Sequence, residues 1–175
     1  LITHPGVDAV SFTGSQGVGA RVAAAAAAGL KRVQLEMGGK NPLIVLDDAD
    51  LDRAVSIALD GSFFATGQRC TASSRLIVQD GIHDRFVAAL AEKVAALRVG
   101  NALDPDTQVG PAVSEAQRET SYRYIDIAAS EGGRVVAGGG RLNRQAPGWY
   151  VEPTLIADTD PAMRINNEEV FGPVA

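Results

Sequence analysis

The sequence predicts an α/β protein, and three observations carry that prediction. Residues 9–13 are a short apolar run that leads into glycines at 14–19, an alanine-rich stretch and a second apolar run at 31–35. Strand, turn, helix, strand is one βαβ unit. Further along, short runs of Val, Ile and Leu alternate with longer stretches of helical period. Aromatic residues make up only 5% of the chain against 19 glycines, a balance suited to helices packed closely on a sheet.

In order, residues 9–13 read as a buried strand and 14–19 as a Gly-rich turn. Residues 18–28 read as a helix of strong formers with Gly29 as its C-cap, and 31–35 as the next strand. Asn41-Pro42 opens a strand over 43–46. Asp47, Asp48 and Asp50 are N-cap candidates for a helix over 51–65, with Ala54, Ile57, Ala58, Phe63 and Phe64 as apolar positions. Thr66-Gly67-Gln68-Arg69 ends it. A strand over 75–79 and an amphipathic helix over 82–97 follow, the latter with Phe86, Leu90 and Leu97 inward. Residues 101–111 form a loop broken by Asp-Pro and Gly-Pro. The remainder reads as a helix over 115–131, a strand over 134–137, a polar turn over 141–149, a strand over 151–156 and a capped turn over 158–164.

A length of 175 residues allows one domain or parts of two. A net charge of −5 without a Lys/Arg run excludes broad nucleic-acid binding, which needs a clustered basic face. One cysteine permits no internal disulfide. No apolar run approaches the roughly 20 residues of a membrane-spanning helix, and no basic segment precedes an apolar one as in a signal peptide. The expectation is a cytoplasmic protein with no nucleic-acid or membrane partner. The first residue is Leu1 and the last lie within a Phe-Gly-Pro-Val-Ala run, so the chain reads as a piece of a longer polypeptide.

Four places carry chemistry. Gly14-Ser15-Gln16-Gly17-Val18-Gly19 follows a strand and opens a helix, where free N–H groups and the helix dipole suit a phosphate. Its spacing is not G-x-G-x-x-G, and glycines serving only a tight turn explain it equally well. Cys70 sits in the small, polar Gly67-Gln68-Arg69-Cys70-Thr71-Ala72-Ser73-Ser74, between a helix and a strand. Taken alone, a lone cysteine is more often inert than nucleophilic. Glu36 ends an apolar strand beside Gly38 and Gly39, where α/β sheets bind ligands, though a solvent-facing turn glutamate fits as well. Glu168-Glu169-Val170-Phe171-Gly172-Pro173 pairs acids with an aromatic and a turn, and by itself reads as a loop.

Together the four are more informative. Phe12-Thr13-Gly14-Ser15, Leu35-Glu36-Met37-Gly38-Gly39-Lys40, Gly67-Gln68-Arg69-Cys70 and Glu168-Glu169-Val170-Phe171-Gly172-Pro173 occur in that order, with Cys70 following Glu36 by 34 positions. In this the whole chain resembles the aldehyde dehydrogenase superfamily. The resemblance implies that family's three-layer α/β fold in part: a terminal βαβ of the Rossmann-like cofactor domain over 1–36 and the first part of the catalytic domain over 37–175. It implies that Cys70 attacks an aldehyde, that Glu36 activates the water that releases the acid, and that the Cys70 N–H forms half of an oxyanion hole. It implies NAD or NADP as cofactor, with Gly14 and Ser15 at the pyrophosphate, Glu169 on the nicotinamide ribose and Phe171 beside the nicotinamide, and no metal. Gly17 departs from the glutamate that many relatives carry.

The wider motifs Leu35 to Pro42 and Gly67 to Arg75, with Arg164-Ile165-Asn166, resemble the α-ketoglutaric semialdehyde dehydrogenase branch, which oxidises 2,5-dioxopentanoate. The resemblance further implies a small-molecule aldehyde substrate, a homo-oligomer, and little activity for these 175 residues in isolation. Two alternatives stay open: a CoA-acylating semialdehyde dehydrogenase, against which Glu36 argues, and a non-catalytic interaction protein of the same fold.

Overall fold

The computed structural model describes residues 1–144 and 146–175. Part of the polar turn expected over 141–149 therefore lies outside the described residues. The chain forms two compact units, Leu1–Gly39 and Lys40–Ala175; the sequence reading had put its boundary after Glu36.

The first unit is the βαβ element. β1 (Ala9–Gly14) and β2 (Arg32–Met37) pair in parallel, joined by helix α1 (Gln16–Ala28). The helix begins inside the expected glycine turn, so Gly17 and Gly19 are helical. Gly19 is buried against Met37, and a methyl group there would overlap the Met37 sulfur. Val22 and Ala26 complete the face that α1 buries. Gly29 is the C-cap, as expected, but the left-handed residue is the exposed Leu30 at φ 53°. β1 was expected to be buried; its residues here are exposed or half-buried, because this two-stranded sheet carries a helix on one face only.

The second unit holds the remaining elements. β3 (Asn41–Val45) pairs in parallel with β4 (Ser73–Val78), with a register shift at Asn41/Pro42. Pro42 is tolerated because β3 has a single neighbour, so its missing N–H can face the open edge. Between these strands runs α2 (Leu51–Phe63), capped by Asp50, whose carboxylate accepts the Arg53 N–H at 2.9 Å. The expected helix to residue 65 stops early. A 3₁₀ turn over Phe64–Gly67 follows, with Ala65, Thr66 and Gly67 all left-handed at φ 53°, 60° and 65°. Of its expected apolar positions Ala58 and Phe63 are buried, whereas Ile57 and Phe64 are 48% and 63% exposed; Val55, not named from the sequence, is buried as well.

Helix α3 (Asp80–Ala95) places Ile82, Phe86, Leu90 and Val94 on one buried stripe at four-residue spacing. Each such side chain contributes roughly 1.5–3 kcal/mol of burial. They pack with Val45, Val55, Ala58, Phe63 and Leu155, and Leu97 lies half-buried against this cluster. Helix α4 (Glu115–Ser130) buries Tyr122, Tyr124, Ile125 and Ala128 in a second cluster with Val151, Ile156, Ile165, Val170 and Val174. β5 (Arg134–Ala137) pairs antiparallel with β6 (Leu155–Ala157). The strand expected over 151–156 is shortened at its start, where Pro153 cannot donate to a ladder. There Thr154 instead bridges Val174. A one-turn helix, α5 (Arg164–Asn167), follows the expected turn over 158–164. Among the described residues no helix is long and apolar enough to cross a membrane.

Candidate active site

Gly14, Ser15 and Glu36 share one end of the first unit. β1 and β2 run in parallel with Thr13 opposite Glu36 and Gly14 opposite Met37, so Glu36 lies at the carboxyl end of the strand pair, where α1 begins. Ser15 is the N-cap residue in extended conformation, but its hydroxyl caps nothing and the first turn carries no acid. The N–H groups there are open to an anion. A Cβ at Gly17 would meet nothing within 4 Å, so the turn leaves room as well as donors. These features fit the pyrophosphate of a dinucleotide.

Cys70, Glu169 and Phe171 belong to the second unit. Cys70 is a free, exposed thiol. The local sequence holds it there. Three consecutive left-handed residues turn the chain after α2, and the buried Thr66 hydroxyl donates to the Gly110 carbonyl at 3.2 Å. Gln68 accepts the Val113 N–H at 2.9 Å. Arg69 donates to the Asp60 and Gly61 carbonyls at 3.0 and 2.9 Å, a cation on the carbonyl end of α2, and lies 5.2 Å from the Phe64 ring centre. Ala72 N–H then closes a turn onto the Arg69 carbonyl at 3.1 Å, with Cys70 and Thr71 at its tip. Each residue of Gly67-Gln68-Arg69 thus has a structural task that presents the next one, Cys70, to solvent.

The segment after α5 meets this turn. Gly67 approaches the Gly172 backbone so closely that a methyl group would overlap the Gly172 carbonyl. Gly172 in turn rests on Ser121 of α4. Phe171 is left-handed at φ 56°, a strained conformation for an aromatic residue. Gln117 of α4 holds it, donating to the Val170 and Phe171 carbonyls at 2.8 and 2.9 Å. The paired acids have separate roles. Glu168 takes two bonds from Arg164, at 2.8 and 2.9 Å, and one from the Tyr124 hydroxyl. These hold its carboxyl down at about 2. Among the described residues no hydrogen bond engages Glu169, which leaves that carboxylate available to a ligand.

Two residues of the quoted motif acquire roles that sequence reasoning did not assign. Lys40 has its ammonium nitrogen buried with no hydrogen-bond partner among the described residues. Burial, and then the positive charge of Arg75, lower its pKa to about 8 against the opposing pull of Glu169. Asn41 donates to the carbonyls of Cys70 and Ala72 at 2.6 and 3.0 Å. Gln117 was missed as well, because nothing in its own neighbourhood marks a partner 53 positions away. A cleft of about 440 Å³ lies elsewhere in the unit, lined by Leu76, Phe86, Leu155 and Ile165 among others, and includes none of Cys70, Glu169 and Phe171. No group of three or more His, Cys, Asp or Glu suited to a metal occurs among the described residues.

The aldehyde dehydrogenase family profile matches residues 1–175, and the chain belongs to that family. Betaine aldehyde dehydrogenase from Cereibacter sphaeroides strain ATCC 17029 is 51% identical over 174 residues, which are 99% of this chain and 36% of the relative. The Rhizobium etli enzyme of the same name is 50% identical over 175 residues, with the same coverage. Among solved structures, betaine aldehyde dehydrogenase from Staphylococcus aureus in complex with NAD+ superposes with a TM-score of 0.96 at 44% identity, over 99% of this chain and 35% of that one. An aldehyde dehydrogenase from Bacillus cereus gives 0.95 at 38% identity, with the same coverage. The fold is therefore the aldehyde dehydrogenase α/β fold in part, and the chain spans about a third of the length of the relatives it matches. The three betaine aldehyde dehydrogenases among them carry a different substrate name from the α-ketoglutaric semialdehyde branch suggested by the motifs.

Proposed function

We propose that the protein containing this chain oxidises an aldehyde to the carboxylic acid with NAD+, using Cys70 as nucleophile and Glu36 as base. The observation that carries this is the free, exposed thiol of Cys70 at the tip of a turn held from several sides, in a chain matched by the family over its whole length. Bound nicotinamide would supply the hydride acceptor. The Cys70 thiolate adds to the aldehyde carbon, forming an S–C bond and placing negative charge on oxygen, which the Cys70 N–H stabilises. Loss of the carbonyl hydrogen as hydride leaves a thioester. Glu36 takes a proton from water, the hydroxide adds to the thioester, and the C–S bond breaks to give the acid and regenerate the thiolate. Gly14 and Ser15 at the start of α1 receive the cofactor pyrophosphate, Glu169 bonds the nicotinamide ribose, and Phe171 packs beside the ring. In this reading residues 1–36 end the cofactor domain and bring Glu36 to the chemistry, and residues 37–175 begin the catalytic domain, which supplies Cys70 and also Glu169 and Phe171 for the nicotinamide end of the cofactor.

For the substrate, the names of the relatives favour betaine aldehyde over 2,5-dioxopentanoate, and the NAD+ in the Staphylococcus aureus structure favours NAD over NADP. A homo-oligomer fits the apolar residues exposed on paired strands, with Ile44 opposite Ile77 at 64% and 45% exposure.

The test is made on the full-length protein with betaine aldehyde, 2,5-dioxopentanoate and succinic semialdehyde, each with NAD and NADP. C70A should abolish turnover. E36Q should keep a first burst of NADH, about one per site, while steady turnover falls at least about 100-fold, because only thioester hydrolysis needs the base. An absolute requirement for coenzyme A would move the protein to the acylating branch. Full activity of C70A would end the proposal.

A further inference from the structure

We propose that Asn41 is a positioning residue for the nucleophile: its side-chain amide clamps the Cys70 turn from strand β3 and fixes the peptide that leads out of Cys70. This rests on the reading of Cys70 as nucleophile given above.

Cys70 and Thr71 are the two central residues of the turn closed by the Ala72 N–H on the Arg69 carbonyl. The peptide between the central residues of such a turn takes no part in the closing bond. It is the group that rotates when a turn changes type, carrying the ψ of its first central residue from about −30° to about +120°. Here that residue is Cys70. Rotation would exchange the sides on which the Cys70 carbonyl and the Thr71 N–H point, and would re-aim the thiol relative to the backbone donors around it.

Asn41 opposes that rotation directly. It is the first residue of β3, opposite Ser73. Its Nδ2 donates to the Cys70 carbonyl at 2.6 Å and to the Ala72 carbonyl at 3.0 Å. A primary amide has two N–H donors, and here both are spent on carbonyls of one short segment. One holds the central peptide of the turn and the other the exit into β4. Thr71 is not among the residues with positive φ, so the held form is the one that a β-branched residue accepts. Asn41 is itself seated in a strand ladder, so the clamp has a rigid base.

The variants N41D and N41A of the full-length protein test this. N41D keeps the shape but places a carboxylate oxygen, an acceptor, against two carbonyls; N41A removes the group. Two rate constants are read: alkylation of Cys70 by iodoacetamide without cofactor, across pH 6–9, and the NADH burst with betaine aldehyde. Both should fall by roughly ten-fold or more in N41D, and by a smaller factor in N41A, while the number of reactive thiols per chain stays unchanged. A role confined to stability would do the reverse, lowering the amplitude through loss of folded protein while the rate constants of the remainder persist. Rate constants within about two-fold of the parent in both variants, or failure of both to fold, would overturn the proposal. Alkylation needs neither aldehyde nor cofactor. A parent with no burst but with slowed alkylation in N41D would therefore refute the dehydrogenase reading and support the clamp.

Discussion

At the scale of single residues, the two glycines flanking the candidate chemistry have opposite consequences. Gly67 is left-handed at φ 65°, and a methyl group on it would overlap the backbone carbonyl of Gly172, which has no flexible end to yield. G67A therefore incurs both a left-handed alanine and a backbone displacement, together roughly 3 kcal/mol, and the displaced segment carries Phe171 and Glu169. Gly17 lies within α1, where an added methyl meets nothing within 4 Å. G17A should gain about 0.5–1 kcal/mol, since alanine replaces glycine in a helix. Urea unfolding of both variants checks the pair, and equal midpoints would mean that the close approach at Gly67 carries no energetic weight. The same scale separates the adjacent acids. Glu168 is consumed by Arg164 and Tyr124, and Glu169 makes no hydrogen bond among the described residues.

At the scale of elements, α4 is the support for the segment over 168–172. Gln117, Ser121 and Tyr124 lie along one face of it, under Val170–Phe171, Gly172 and Glu168 respectively. That face depends on the start of the helix, where the Ser114 hydroxyl accepts the Gln117 N–H at 3.2 Å. S114A should cost about 1 kcal/mol of stability. It should also raise the KM for the dinucleotide more than the KM for the aldehyde, because fraying of the first turn loosens Gln117 before anything else. An unchanged cofactor KM alongside the stability loss would show that α4 supports the segment without setting it. The order and type of these elements were legible in the sequence because hydrophobic period is local: Phe86 and Leu90 of α3 were read as inward and are buried, while Ile82 and Val94 complete the stripe and Leu97 is only half-buried. The end of α2 was not. Phe64 and Ala65 continue a good helical pattern, and what stops it is distant, the Thr66 bond to Gly110 and the seat of Gly67 on Gly172. The site divides in the same way. Cys70 and Glu36 are proposed from motif order and spacing, whereas Asn41 and Gln117 act on carbonyls 29 and 53 positions away, which no local pattern encodes.

At the scale of the whole molecule, the pH dependence of stability should carry the signature of one buried lysine. The Lys40 ammonium is held at about 8 in the folded protein against 10.5 unfolded. Between those values the unfolded chain binds the proton and the folded one does not, so stability rises with pH through that window. Below pH 8 the folded state bears the full cost of burying the charge, on the order of 3 kcal/mol. Tyr124 opposes this at the upper end. Its phenol is pushed above 10 by burial and then by the Glu168 carboxylate, so the unfolded chain loses that proton first and stability falls as pH climbs past about 10. On the acid side, Glu168 is held at about 2 against 4.5, and its contribution is complete above 4.5 and lost as pH falls towards 2. The alkaline rise isolates Lys40. K40M keeps the length of the side chain and removes the charge, so it should be more stable than the parent at pH 7.5, with the gap closing as pH approaches 10. The attraction of Glu169 for this charge is already contained in the net shift to about 8, so it adds nothing separate to the comparison. Urea midpoints of the two proteins at pH 7.5, 8.5, 9.5 and 10 test the convergence. Parallel profiles would mean that the Lys40 ammonium is solvated in solution and that its seat beside Arg75 and Glu169 places no strain on the site.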